Sequence, residues 1–83
     1  MSNEYIPISC ADYSRYELAI LRGQALRVSW RGARGVAHVE TLIPLDLRTR
    51  THAEFLIARN QEGSRRVLRL DRIRHAEPVG LVD

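Results

Sequence analysis

Helix signals in this chain end at Gly23, and almost everything after it reads as short strands. Ser9 is a good N-cap. Asp12, three residues on, suits a capping-box-like pair and the positive end of the helix dipole. Gly23 stands where a C′ glycine ends a helix after Leu21-Arg22. Between them Tyr13, Tyr16, Ile20 and also Leu21 recur at helical spacing, an apolar stripe expected to pack on a sheet.

Downstream the period changes to two. Leu26, Val28 and Trp30 alternate with Arg27, Ser29 and Arg31, which predicts a half-buried strand with Trp30 in the core. Gly32-Ala33-Arg34-Gly35 supplies a reversal, and a second strand is expected from about Val36 to Thr41, with Ala37 and Val39 on one face. The segment 42–51, which contains Pro44, reads as a loop or a broken short strand. Ala53–Ala58 reads as a strand. Residues 60–64 form a hairpin turn into a strand over 65–73, and a last short strand is expected after Pro78 from Val79, Leu81 and Val82. The fold class that follows is α+β, mainly β. It is one domain over residues 1–83, with the N-terminal helix capping a small, strongly bent antiparallel barrel.

The formal charge of +3 hides a division. Residues 1–20 carry three acids against one arginine, a net of −2, whereas residues 21–83 carry 12 arginines against seven acids. No lysine is present, so every basic group is a guanidinium, suited to phosphate or carboxylate but read equally as a trace of base composition. A basic majority implies weak attraction to RNA. Apolar runs are too short to span a membrane, Met-Ser-Asn-Glu is acidic where a signal peptide is basic, and one cysteine suits a reducing compartment. A cytoplasmic location is expected. Cys10 reads as a small buried hydrophobe rather than a nucleophile, since His38, His52 and His75 have no spacing that supplies a base or a metal set. No enzyme, metal site or cofactor is expected.

The opening Tyr5-Ile6-Pro7-Ile8-Ser9-Cys10-Ala11-Asp12-Tyr13, with Glu17-Leu18-Ala19 behind it, resembles the start of the Rof (YaeO) family of Rho-binding antitermination proteins. Glu54-Phe55-Leu56, Gly63 and the run Arg66-x-Leu68-Arg69-Leu70-Asp71-x-Ile73 look like that family's closing hairpin. The resemblance implies an Sm-like fold and a non-enzymatic regulator that binds transcription termination factor Rho, inhibits Rho-dependent termination by obstructing RNA access, and acts as a monomer. It implies partner contacts at Asp12, Tyr13, Glu17, Arg50 and His52. Asp12 has a second reading as a helix cap, Glu17 as a solvated residue and Tyr13 as a core-edge ring. The alternatives are an Sm-like RNA-binding module and an accessory ligand-sensing or scaffold domain.

Overall fold

The computed structural model describes residues 4–80. Helix α1 (Cys10–Arg22) is followed by β1 (Leu26–Arg31), β2 (Ala37–Arg50), β3 (Ala53–Asn60), β4 (Arg65–Arg69), a 3-10 turn (Leu70–Arg72) and β5 (Ile73–Pro78). Both helix ends form as their residues dictate. The Ser9 hydroxyl accepts the Asp12 amide at 3.1 Å, and Gly23, at φ 62°, turns its amide back to the carbonyls of Ala19 and Ile20. The Asp12 carboxylate lies 3.6 Å from Arg15, an exposed ion pair of small worth.

The five strands form one antiparallel sheet in the order β4-β3-β2-β1-β5. β4 and β5 are its edges and do not pair, so the sheet is open and the expected barrel closure is not shown. It curls nonetheless: Trp30 of β1 and Leu68 of β4, three strands apart in the order, line one cavity. Tyr16 and Ala19 of α1 pack with Val28, Trp30, Leu42, Leu56, Ala58, Leu68, Leu70 and Ala76 in a single core. Leu42, Leu56, Leu70 and Val28 are almost completely withdrawn from water, each worth about 1.5–3 kcal/mol of apolar burial.

Several expectations need correction. The segment 42–51 is not a loop. β2 runs unbroken to Arg50, pairing with β1 through Leu42 and with β3 from Leu42 onward. Pro44 is tolerated because the β2–β3 register shifts between Pro44 and Asp46, a bulge at which a missing N–H costs little. Ala37 and Val39 are exposed. The strand expected over 65–73 divides at the 3-10 turn, and the last strand precedes Val79 rather than containing it. Leu81 and Val82 lie outside the described residues. Cys10 is exposed, not buried. Leu21 leaves the core stripe and is 82% exposed.

Arg50 pairs with Ala53, so Thr51-His52 is a two-residue hairpin with φ 50° and 64°, the left-handed conformation of a type I′ turn. A β-branched residue is strained there. Replacing Thr51-His52 by Asn-Gly is expected to relieve about 1–2 kcal/mol. Thermal unfolding should show this as a rise of roughly 5–15 °C for a domain this small.

Candidate anion-binding groove

The face of the sheet turned away from α1 carries the most distinctive chemistry. Strand alternation sends Leu56 and Ala58 into the core and sets Phe55, Ile57 and Arg59 on the other face, where Phe55 is half-buried, Ile57 buried and Arg59 exposed. Cross-strand pairing sets Arg48 opposite Phe55 and Phe55 opposite Arg69, and Asp46 opposite Ile57 and Ile57 opposite Val67. The result is a cavity of about 310 Å³, with Phe55, Ile57 and Val67 as apolar floor and Arg48, Arg50 and Arg65 as walls. The cavity of about 320 Å³ that Trp30 and Leu68 line opens beside it at the sheet's rim, sharing Phe55 and Val67 and adding Arg31, Arg69 and Arg72. No carboxylate lines either one.

The electrostatics leave the arginines of the first cavity under-compensated. Arg50 and Arg65 have no side-chain partner among the described residues. Arg48 is held only by an exposed ion pair to Asp46 at 3.1 Å, which water and salt screen to small worth. Arg59 and Arg65 stand directly opposite across β3 and β4, a like-charge pair that costs stability until an anion lies between them. Guanidinium forks over an apolar, partly aromatic floor suit a ligand with phosphate or carboxylate groups on a flat or apolar body.

Arg69, by contrast, is structural. Its guanidinium grips Asp71 at 2.7 and 2.8 Å, and its Cζ lies 5.8 Å from the centre of the Tyr5 ring. Asp71 also accepts the Ile6 amide at 2.9 Å, and the Tyr5 hydroxyl donates to Glu54 at 3.1 Å. These bonds strap the N-terminal arm across the sheet. Burial, reinforced by the hydrogen bond to Glu54, pushes the Tyr5 phenol up to about 12. On Asp71 burial pulls upward, but the Arg69 and Ile6 hydrogen bonds outweigh it and hold the carboxyl below its ordinary value.

Of the residues expected to bind a partner, only Arg50 lines this groove. His52 sits exposed in the β2–β3 turn. Asp12 and Glu17 are exposed on α1. Tyr13 is half-buried and lines a separate cavity with Ile8, Cys10, Ser14 and Glu54. Burial raises the Tyr13 phenol, and Glu54, Glu17 and Asp46 raise it further. The cavity beside Tyr13 and the one that Arg50 lines share no residue. The residues that composition alone missed are Arg48, Phe55, Ile57, Arg65 and Val67, each two positions from another on its strand or opposite one across it. That period-two spacing was the available signal. Among the described residues no group of three or more histidine, cysteine or acidic side chains is placed to hold a metal. No helix there is long and apolar enough to cross a membrane.

A helix on one face of a curled, open five-stranded antiparallel sheet defines a small α+β domain. The family model of the WYL domain matches residues 13–78, and the chain belongs to the WYL-domain family. Among solved structures it is similar to proteasome accessory factor B/C (PafBC) of Arthrobacter aurescens. The TM-score is 0.77 and the identity 22% over 95% of this chain, a likeness that shows the fold. The chain spans 13% of that protein's length. No curated protein matches it.

Family membership overturns the resemblance to Rof proteins, and with it Rho as partner and antitermination as function; the Sm-like barrel that the resemblance implied is not shown. The misleading residues have local explanations. The Tyr5–Asp12 opening precedes the matched region and forms the strap and the helix cap. Leu68 and Leu70 fill the core, while Arg69 and Asp71 form the strap's ion pair. The RNA-binding alternative drew on the Sm-like architecture and on the arginine excess, and the family match lends it no support.

The strap's ion pair makes a testable acid sensitivity. The Asp71 side chain is only 6% exposed, so Asp71→Asn, which removes the carboxylate that Arg69 grips, is expected to cost about 3 kcal/mol in denaturant unfolding. Since the folded value lies below the ordinary 3.8, the unfolded chain takes up the proton first. The contribution of Asp71 is therefore complete above the ordinary value and lost as pH falls through the lower folded one. The stability gap between wild type and Asp71→Asn should narrow over that acid range.

Proposed function

We propose that this chain is the ligand-sensing domain of a transcription regulator, non-enzymatic and cytoplasmic, and that it takes a phosphate-bearing ligand in the outer-face groove. The observation that carries the reading is the acid-free apolar floor of Phe55, Ile57 and Val67 walled by Arg48, Arg50 and Arg65. Membership of the WYL-domain family supports a regulatory setting. Phosphate oxygens take the forks of Arg50 and Arg65, and Arg48 joins them by leaving its weak pair with Asp46. A planar body on the ligand rests on Phe55 and is shielded by Ile57 and Val67. Neutralising the Arg59–Arg65 repulsion couples occupancy to the β3–β4 hairpin, which is anchored at its turn by Asn60. That side chain accepts the Glu62 and Ser64 amides at 3.0 and 2.9 Å and donates to Glu40 at 3.1 Å.

Calorimetric titration with a nucleoside diphosphate and with inorganic pyrophosphate tests the assignment. Each of Arg50→Glu and Arg65→Glu is expected to weaken both probes at least about tenfold, the loss of a charged hydrogen bond. Phe55→Ala should weaken the nucleotide far more than pyrophosphate. No binding of either probe at low ionic strength, or equal binding by the arginine variants, would refute the groove.

A further inference from the structure

The outward face of α1 is unexplained by the fold. At 3.6 residues per turn, Tyr16, Ala19 and Ile20 face the sheet, and Ala11, Ser14, Leu18 and Leu21 form the opposite stripe. Leu18 is 45% and Leu21 82% exposed. Their spacing of three, four and three residues is that of alternating a and d positions in a heptad. The flanks of the stripe carry opposite charge. Glu17 lies on one side at a g position, and Arg15 and Arg22 lie on the other at e positions. Neither Glu17 nor Arg22 has a hydrogen bond or ion pair among the described residues. Arg15 is already engaged, donating to the Ala76 carbonyl at 2.6 Å.

We infer that α1 pairs in parallel with α1 of a second copy of this chain. Charge complementarity selects this occupant and this orientation. A two-fold axis along the helices sets the acidic flank of each against the basic flank of the other. Glu17 then meets Arg22 of the second copy, the g-to-e pairing of parallel coiled coils, on both sides of the seam. An antiparallel pair sets like flank against like flank, arginine against arginine. Tyr16 anchors each helix on the face opposite the seam, while Leu18 and Arg22 border a cavity of about 160 Å³ that runs to Leu26, Ala76 and Pro78 at the sheet edge. Leu18 and Leu21 fill the centre. Ser14, small and at a d position, lets the helix backbones approach at the N-terminal end. This pairing is independent of what occupies the outer-face groove.

Sedimentation of the 83-residue chain over a dilution series tests the pairing. The expected mass at high concentration is twice the 9.5 kDa monomer. Leu21→Glu should remain monomeric at every concentration, and Leu21 is exposed enough for the fold to survive, as circular dichroism would verify. Glu17→Arg should also be monomeric, and adding Arg22→Glu to it should restore the dimer. In a Cys10→Ser background, Ser14→Cys should form a disulfide-linked dimer on oxidation, which only the parallel register brings together. A wild-type monomer throughout, a dimer that survives Leu21→Glu, or a charge swap that fails to restore association would each overturn the proposal.

Discussion

The fold turns on how β2 is divided. Its first half is bonded to β1 and its second half to β3, and the two ladders meet at Leu42, one of the most deeply buried side chains. The register shift beside Pro44 makes this division tolerable, because the residue that cannot donate sits where the ladder is already interrupted. A straight, evenly paired β2 would give a flatter sheet. With the shift, the sheet curls, its concave side closes on Tyr16 and Ala19, and its convex side presents Arg48 and Arg50 beside Phe55.

The two faces of that sheet therefore do different work. The inner face is a conventional apolar core sealed by a capped helix. The outer face is an apolar strip that the fold leaves half-covered, with guanidinium groups repelling one another around it. A chain of marginal stability keeps such repulsion only where something offsets it. The ion pair between Arg69 and Asp71 shows the contrast: it is buried, hydrogen-bonded on every side and committed to holding the N-terminal arm. Arg50 and Arg65 have no such commitment.

Much of the inner half was legible in the sequence. Ser9 and Gly23 mark the helix ends because capping is local chemistry. Leu26, Val28 and Trp30 mark β1 because a sheet with one buried face alternates. β2 was not legible, since Pro44 signals a break unless the bulge that absorbs it is known. β5 was hidden because Arg74, His75 and Glu77 are exposed and only Ala76 is buried, leaving almost no apolar pattern on an edge strand. Leu21 was misplaced because a stripe drawn from spacing alone spreads too widely around the helix. The groove is not legible because Arg65 on β4 and Phe55 on β3 become neighbours of Arg48 and Arg50 on β2 only through strand pairing. The Leu68–Asp71 run pointed to another family because burying two leucines and pairing the residues between them is a demand many small β domains share.

Chemical-shift mapping of backbone amides during titration with a nucleoside diphosphate locates the ligand on the sheet. Binding in the outer-face groove gives saturable shifts concentrated at Arg48, Arg50, Phe55, Ile57, Arg65 and Val67, with the Asp12–Glu17 helix segment unmoved. Shifts confined to that helix, or none on the outer face at saturating ligand, would contradict it.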